Sequence, residues 1–241
     1  MRTTTGNPPG AERAGVFLLL PAYEAEASVG EVLRRTGPFR GRLGGVVVVD
    51  DGSRDHTAAK ARAAGAEVVV HAENRGKGAA LVTGFRHCLA RGAKAVVTMD
   101  ADGQHYPEDL PTFFSALDRD FADIVVGSRR HAASRIPRRN WAGNRFATAA
   151  GALFTGAVMD DLQCGFRLYT ASVLRAITPV TGGFATESEY MIRAHRRGFR
   201  VRNVDVRVLY DATTAGRSHY RAVADSLAVF QVVPRSLFWW D

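Results

Sequence analysis

The sequence has little that could hold it together covalently or place it across a membrane. Its 241 residues include only two cysteines, Cys88 and Cys164. A single disulfide cannot hold a chain of this length together, and the two cysteines lie too far apart in the sequence for a paired zinc site. No apolar run reaches the roughly 18 to 20 residues that cross a bilayer, and residues 1–15 lack the apolar stretch of a signal peptide. We therefore expect free thiols and a cytoplasmic location.

Acidic residues are also scarce, and one segment has none. Lys and Arg number 32 against 24 Asp and Glu, which gives a net charge of +8. Residues 124–159 contain no Lys, Asp or Glu but six arginines: Arg129, Arg130, Arg135, Arg138, Arg139 and Arg145. This pattern favours phosphate groups, a nucleic acid or an anionic membrane surface, and a solvated basic face is the alternative. Because the segment has no helix-turn-helix or zinc-finger pattern and no interleaved aromatic residues, we do not expect nucleic-acid binding.

Apolar runs alternate with helical patterns over the first half of the chain. The patterns predict strands at 16–20, 45–49, 67–71, 95–99 and 123–126, and helices at 26–36, 57–64, 76–91 and 108–117. Continuous β-branched runs indicate a parallel sheet with helices on both faces. Ser28 and Glu31 have capping-box spacing at the first helix. Beyond Val126 we expect a helical, less regular chain, apart from a half-exposed strand within 198–209.

The division of the chain follows from these patterns. We expect residues 1–14 to be a disordered leader, 15–212 to form one α/β domain, and 213–241 to form a helical tail. The tail ends in Phe238, Trp239 and Trp240 and also carries Arg221 and Arg235. Such a composition suits a membrane interface, and packing against the domain or a partner is the alternative.

Polar segments follow three of the predicted strands. They are 21–24, 50–53 and 100–105. Because ligands of open α/β sheets bind beyond the carboxyl ends of the strands, we expect the functional site there.

The strongest chemical signal is Asp100-Ala101-Asp102-Gly103-Gln104-His105. Two carboxylates this close repel each other unless a cation lies between them. Oxygen ligands from Asp100, Asp102 and Gln104 suit Mg²⁺ or Mn²⁺ rather than zinc. A solvated turn is the alternative, since Asp and Gly are common in turns. We expect His105 to shape the loop rather than bind the metal.

Two further segments are weaker signals. In Asp50-Asp51-Gly52-Ser53 a carboxylate could accept a hydrogen bond from a base N–H or a ribose hydroxyl, although the motif taken alone favours a strand-to-helix turn capped by Asp or Ser. Residues 74–78 (NRGKG) open a helix with two glycines and two cations and could face phosphate. They match neither a Walker loop nor a dinucleotide-binding fingerprint.

Taken in order, these segments resemble family 2 glycosyltransferases. The matching segments are 20–24 (LPAYE), 49–53 (VDDGS), 74–78 (NRGKG) and 100–105 (DADGQH), extended by 127–129 (GSR) and 165–167 (GFR). Within that family the chain is most similar to polyprenol (dolichyl) phosphate mannosyl- or glucosyltransferases, over about residues 16–210. The resemblance implies a GT-A fold, which is a Rossmann-like, doubly wound mixed sheet with helices on both faces. It also implies inverting transfer of a hexose from a GDP-mannose or UDP-glucose type donor.

The resemblance implies roles for individual residues. The nucleotide sugar would lie against Pro21, Ala22, Tyr23, Glu24, Asp50, Asp51, Lys77, Asp100, Ala101 and Asp102. Asp100, Asp102 and Gln104 would hold Mg²⁺ or Mn²⁺ against the diphosphate, and Arg129, Arg138 and Arg139 would bind the acceptor phosphate. These roles imply a membrane-associated enzyme at the inner membrane face, in peripheral contact with the lipid or a membrane partner.

The identity of the acceptor stays open at this stage. A polyprenyl phosphate has a second pKa of about 6, so it is already an anionic nucleophile at pH 7 and needs no general base. A sugar or small-molecule hydroxyl would need a carboxylate base, and Glu187 and Glu189 are the candidates, unless they only mark a helix N-terminus. A nucleotidyltransferase on a similar sheet is a further alternative.

Overall fold

The computed structural model describes residues 15–120, 122–129, 164–183 and 185–209. Within these ranges the strands are β1 (Val16–Ala22), β2 (Gly45–Asp50), β3 (Glu67–Val70), β4 (Ala95–Thr98), β5 (Ile124–Ser128), β6 (Arg167–Thr170) and β7 (Val201–Asp205). The α-helices are α1 (Val29–Arg35), α2 (Thr57–Ala63), α3 (Lys77–Ala90), α4 (Leu110–Asp120), α5 (Ala171–Ala176) and α6 (Ala185–Arg196). Short 3₁₀ turns occupy Gly37–Arg42 and Pro107–Asp109.

The seven strands form one mixed sheet in the order β3-β2-β1-β4-β6-β5-β7. β6 runs antiparallel to both of its neighbours, β4 and β5, whereas the other pairs are parallel. The strand order reverses direction between β1 and β4, and such a switch point opens a crevice beyond the carboxyl ends of the strands. The expected doubly wound mixed sheet is confirmed.

Helices cover both faces of this sheet because side chains alternate along each strand. On β1, Leu18 and Leu20 belong to one buried cluster and Phe17 and Leu19 to the other. The first cluster takes residues from α1, α2 and α4, and the second from α3, α5 and α6. Neither cysteine forms a disulfide, and both are buried, one in each cluster.

Two local predictions are wrong. Ser28 and Glu31 form no capping box, because the Ser28 side chain makes no cap hydrogen bond to the helix and Glu31 pairs with Arg34. The loop after β2 instead binds the backbone ahead of α1. There the Thr57 hydroxyl accepts from the Ala25 N–H at 2.8 Å and Asp55 accepts from the Glu26 N–H at 3.0 Å.

The second error concerns β6, which falls where the sequence predicts a helical, irregular chain. β6 has only four residues and begins at Arg167, a charged residue that masks the strand pattern. The half-exposed strand expected within 198–209 is present as β7.

Several sequence predictions lie outside the described residues. These are the leader 1–14, the tail 213–241, and Arg138 with Arg139. Among the residues that the structure describes, no helix has both the length and the apolar character needed to cross a bilayer.

The contact between α3 and β1 gives a test of the packing. A Cβ atom at Gly84 would lie 2.3 Å from Cδ1 of Leu19, a fully buried side chain with no room to move. We expect Gly84→Ala to lower the free energy of unfolding by about 1 to 3 kcal/mol, measured by urea denaturation. Gly30 in α1 has nothing within 4 Å of the same position. Gly30→Ala is the matched control and should be neutral or stabilising by up to about 1 kcal/mol. Equal effects of the two substitutions would contradict this packing.

Candidate active site

The first wall of the crevice joins the loops that follow β1 and β2. Pro21 and Ala22 are buried at the end of β1, and Tyr23 and Glu24 come next. Glu24 has a positive φ of 49°, which points its N–H at the Ser53 hydroxyl, 2.9 Å away. The Glu24 carboxylate accepts from the Arg54 N–H at 2.9 Å. The predicted nucleotide-binding segments 21–24 and 50–53 therefore lie against each other.

The two aspartates after β2 are buried and have different partners. Asp50 accepts a hydrogen bond from the Ser53 N–H at 3.0 Å, within its own turn. Asp51 reaches the loop before α3 and accepts from the N–H groups of Arg75 and Gly76, at 3.0 and 2.7 Å. Its Oδ1 atom also lies 2.6 Å from Nδ1 of His71. Asp51 thus connects the end of β2 to the segment that carries Lys77.

Lys77 lies at the centre of the site. Its Nζ atom is 2.7 Å from Oδ1 of Asp100, which follows β4, and 3.1 Å from Oε2 of Glu187 on α6. Glu187 is almost fully buried, and its other oxygen, Oε1, has no hydrogen-bond partner among the described residues. Three residues that are far apart in the sequence are therefore brought together at the end of β4, with the buried Ala101 beside them.

Burial and charge shift the pKa values of this group in opposite directions. Burial alone would lower the pKa of Lys77, but the charges of Asp100 and Glu187 outweigh it and raise the pKa. Burial likewise opposes ionisation of Asp100, yet Lys77 and then His105 hold its pKa well below the usual range. The pKa of Asp102 is raised, first by burial and then by the charge of Asp100. The charge of Lys77 thus favours the ionised form of Asp100, whereas burial and the charge of Asp100 disfavour the ionised form of Asp102.

Small and aromatic residues close the site around Asp100. A Cβ atom at Gly165 would lie 2.3 Å from Oδ2 of Asp100, so only glycine fits there. The Nε2 atom of His105 is 3.6 Å from the same oxygen, and its buried Nδ1 atom has no hydrogen-bond partner within the part of the chain that the structure describes. The His105 ring packs on Phe166 with centroids 5.4 Å apart.

The donor set of this loop fits a hard divalent cation. Asp100 and Asp102 offer carboxylate oxygens, and the Gln104 N–H donates to Asp102 at 2.9 Å, which holds the turn. The described residues contain no group of three His, Cys, Asp or Glu arranged for a metal ion. Mg²⁺ sites commonly need only one or two carboxylates, because substrate phosphates complete the coordination. Burial and then the charge of Asp100 raise the pKa of Asp102, and a cation between the two carboxylates would offset their repulsion.

Sequence reasoning missed the buried Arg167. Its guanidinium donates to the Cys164 carbonyl at 2.6 Å and to the Glu187 carbonyl at 2.9 Å. It therefore ties the chain beside Gly165 to the helix that carries Glu187. The Gly-Phe-Arg segment was the available signal, but nothing in it distinguishes a buried arginine from an exposed one.

The remaining predicted residues lie elsewhere. Glu189 is fully buried, and both its oxygens accept hydrogen bonds, from the backbone and hydroxyl of Thr181, from the Val180 N–H and from Arg193. Its oxygens are engaged with residues 180–181 and with its own helix, not with Lys77. Arg129 is half-buried and directly follows β5.

Comparison with known families decides the class of protein. Residues 18–178, more than half of the chain, match the family described as glycosyl transferase family 2. The chain belongs to this family. It is a glycosyltransferase, and the segments that the sequence analysis singled out up to residue 167 fall inside the matched region.

Curated relatives include enzymes named for a lipid phosphate. The chain is 37% identical over 174 residues to undecaprenyl-phosphate mannosyltransferase of Micrococcus luteus, covering 67% of this chain and 70% of the relative. It is 33% identical over 227 residues to undecaprenyl-phosphate 4-deoxy-4-formamido-L-arabinose transferase of Pseudomonas aeruginosa strain LESB58. That match covers 90% of this chain but only 64% of the relative. The family member described here thus resembles polyprenol-phosphate sugar transferases.

Solved structures confirm the GT-A fold. Glucosyl-3-phosphoglycerate synthase of Mycobacterium tuberculosis, crystallised with Mn²⁺, UDP-glucose and phosphoglyceric acid, superposes with a TM-score of 0.74. The match covers 99% of this chain and 88% of that one at 23% identity. At this identity the likeness shows the fold alone.

The opposite pKa shifts of the two aspartates predict opposite effects on stability. Burial and the charge of Asp100 disfavour the ionised form of Asp102. Asp102→Asn should therefore raise the melting temperature of the metal-free protein by roughly 2 °C. Asp100 is stabilised as an anion, so Asp100→Asn should lower the melting temperature by roughly 4 °C.

The dependence on pH distinguishes these effects further. The stability that Asp100 contributes is present above the pKa of an unfolded aspartate and is lost as the pH falls through its depressed folded pKa. The destabilisation by Asp102 disappears on acidification, because the protonated side chain no longer needs a countercharge. Thermal unfolding across the acidic range measures both, and shifts of the same sign for the two variants would contradict the assignment.

Proposed function

We propose that this chain transfers a hexose from a nucleoside diphosphate sugar to a polyprenyl phosphate, with inversion at the anomeric carbon. The observation that carries the proposal is the Lys77–Asp100–Glu187 cluster beside Asp102 at the switch point of a GT-A sheet. A buried ammonium that pairs with Asp100, beside the second carboxylate of Asp102, suits a diphosphate with a bound divalent ion. The names of the lipid-phosphate relatives support the acceptor class.

On the donor side, the loops after β1 and β2 would bind the nucleoside. Pro21, Ala22, Tyr23 and Glu24 form one wall, and Asp50 or Asp51 would accept from the base or ribose. Lys77 already contacts Asp100 and would donate to a diphosphate oxygen from its place at the start of α3. The N-terminus of this helix adds a favourable field for the anion.

A divalent ion would be held by Asp100, Asp102 and Gln104, and we propose Mg²⁺ or Mn²⁺. When bound, it neutralises the charge that develops on the departing diphosphate. The protein contributes the orientation of the two carboxylates. Lys77 and His105 fix Asp100, and the Gln104 N–H fixes Asp102.

On the acceptor side, arginines would hold the phosphate in line with the anomeric carbon. We assign this role to Arg129, Arg138 and Arg139. A phosphate dianion needs cations to offset its repulsion from the donor rather than a base to activate it. A segment that carries six arginines and no acidic residue meets that need.

The acceptor also implies contact with a membrane surface, because a polyprenyl chain resides in the bilayer. We propose that the enzyme is cytoplasmic and binds the inner face peripherally, through the basic segment 124–159, the tail 213–241, or a membrane partner. Sedimentation with vesicles containing anionic lipid should show binding that weakens as salt increases.

A hydroxyl acceptor is the alternative, and one observation favours it. Oε1 of Glu187 is buried and accepts no hydrogen bond from the residues that the structure describes, so it could accept the proton of a sugar hydroxyl. Glu189 has no such free oxygen, since its contacts hold residues 180–181. If a base operates in this site, Glu187 is the candidate.

A donor and acceptor screen tests the proposal. The chain is incubated with GDP-mannose, UDP-glucose, UDP-N-acetylglucosamine and UDP-galactose, with and without polyprenyl phosphate, and with Mn²⁺ or a chelator. We expect a lipid-linked sugar product from at least one donor, and no product with the chelator. Sugar transfer to soluble hydroxyl acceptors alone would support the alternative. A label that follows phosphate instead of sugar would identify a nucleotidyltransferase.

Two substitutions separate the acceptor classes. With a phosphate acceptor, Arg138→Gln should raise the acceptor KM by about tenfold or more, because a charge-assisted contact is lost. Glu187→Gln should then reduce kcat by less than about tenfold. With a hydroxyl acceptor, Glu187→Gln removes the base and should reduce kcat by about 10² or more, while Arg138→Gln has little effect.

A further inference from the structure

His71 is a buried histidine that the proposed chemistry does not use. It directly follows β3, and its two ring nitrogens bind different parts of the fold. Nδ1 lies 2.6 Å from Oδ1 of Asp51, and Nε2 lies 2.9 Å from the hydroxyl of Thr83 on α3. The contact with Asp51 is buried, because His71 is 8% exposed and Asp51 3%, and the contact with Thr83 is partly buried.

The chemistry of the two partners assigns the direction of these hydrogen bonds. An ionised carboxylate only accepts, so Nδ1 donates to Asp51. In the neutral ring, Nε2 is then the acceptor and receives the hydrogen of the Thr83 hydroxyl. Thr83 is fixed on a 14-residue helix, so the ring is anchored and the Asp51 carboxylate has one orientation.

Through Asp51 this contact reaches the loop before α3. The same carboxylate accepts from the N–H groups of Arg75 and Gly76, at 3.0 and 2.7 Å. Gly76 has a φ of 87° and immediately precedes Lys77. The position of the Lys77 backbone therefore depends on the orientation of Asp51.

Close packing of the backbone near Asp51 strengthens the dependence of the Lys77 backbone position on the orientation of Asp51. A Cβ atom at Gly52 would lie 2.4 Å from the carbonyl carbon of Glu73 and 2.6 Å from the N atom of Asn74. The His71 N–H also donates to the Asp50 carbonyl at 2.9 Å. The turn after β2 and the segment 71–76 are thus in direct backbone contact.

We propose that His71 is a positioning residue that orients the Asp51 carboxylate and, through it, places Lys77 for binding of the nucleoside diphosphate. The proposal deepens the function proposed above and rests on it for the identity of the ligand. His71 itself contacts no substrate. Its effect is on donor affinity, through the geometry of residues 75–77.

The same helix offers a matched control. His87 on α3 pairs with Glu67 on β3, with Nε2 and Oε1 2.8 Å apart. This second histidine–carboxylate pair joins α3 to β3, as the His71–Thr83 contact joins α3 to the end of β3, but the pair is partly exposed and His87 lies ten residues beyond Lys77. If the loss of a histidine–carboxylate pair had only a structural effect, substitution of His71 and substitution of His87 would give the same result.

The experiment compares His71→Phe, His71→Asn and Thr83→Val with His87→Phe in the full chain. Binding of UDP and GDP with Mn²⁺ is measured by calorimetry, and amide hydrogen exchange at Arg75 and Gly76 is measured without ligand. His71→Phe should raise the Kd of the bound nucleotide by about tenfold, as expected for loss of a group that orients a ligand-binding residue. It should also accelerate exchange at Gly76 by about tenfold or more, because Asp51 is released.

The other variants make the test specific. His71→Asn keeps a donor to Asp51 and should restore affinity to within about threefold of the parent, and Thr83→Val should behave similarly. His87→Phe should change neither readout by more than about twofold. In turnover assays the donor KM should rise in His71→Phe while kcat at saturating donor stays within about twofold.

Unchanged Gly76 exchange and unchanged nucleotide affinity in His71→Phe would overturn the proposal, as would equal effects of His87→Phe. If His71→Phe does not fold, His71→Asn decides the test. A folded His71→Asn variant that has lost all nucleotide affinity would also overturn the proposal. If the parent chain binds neither nucleotide, the proposed function fails. Exchange at Gly76 then still decides whether His71 holds this loop.

Discussion

The ammonium group of Lys77, held between the carboxylates of Asp100 and Glu187, is the interaction on which the site depends. Each of these residues comes from a different part of the fold: the start of α3, the end of β4 and the buried face of α6. An uncompensated charge at this depth would cost several kcal/mol, so none of the three can move alone. The group therefore fixes the relative positions of the elements that surround the crevice.

The charges in the site are also not balanced. One cation faces two carboxylates at close range, and Asp102 lies beside them with a raised pKa. Within the described residues, Arg167 stabilises this arrangement by donating hydrogen bonds to the Glu187 and Cys164 carbonyls. It is bound to these carbonyls and does not neutralise Asp102. Such a balance costs stability in the free protein and favours a partner that brings positive charge and phosphate together. Functional sites commonly carry this kind of local conflict.

Much of this architecture is predictable from the residues, and the exceptions have physical reasons. Short apolar runs predict β1, β2 and β4, and the polar segments after them predict the crevice, because the ends of neighbouring parallel strands share one edge. The pairing of Lys77 with Glu187 is not predictable, since no local pattern links residues 110 positions apart. β6 is missed because it is short and begins with an arginine. His71 is missed because an isolated histidine after a strand has no pattern that distinguishes it from a surface residue.

The antiparallel strand β6 has a consequence for how this enzyme family can diversify. β5 and β6 are hydrogen-bonded neighbours, with Val126 paired to Arg167, so the end of β5 lies beside the start of β6. The chain segment that connects these strands therefore has its two ends at adjacent points on a rigid frame. The entropy cost of holding the ends of a segment together grows only slowly with its length. If the arginines of this segment bind the acceptor as proposed, evolution or an engineer could exchange the segment and alter which molecule receives the sugar, while the donor half stays intact.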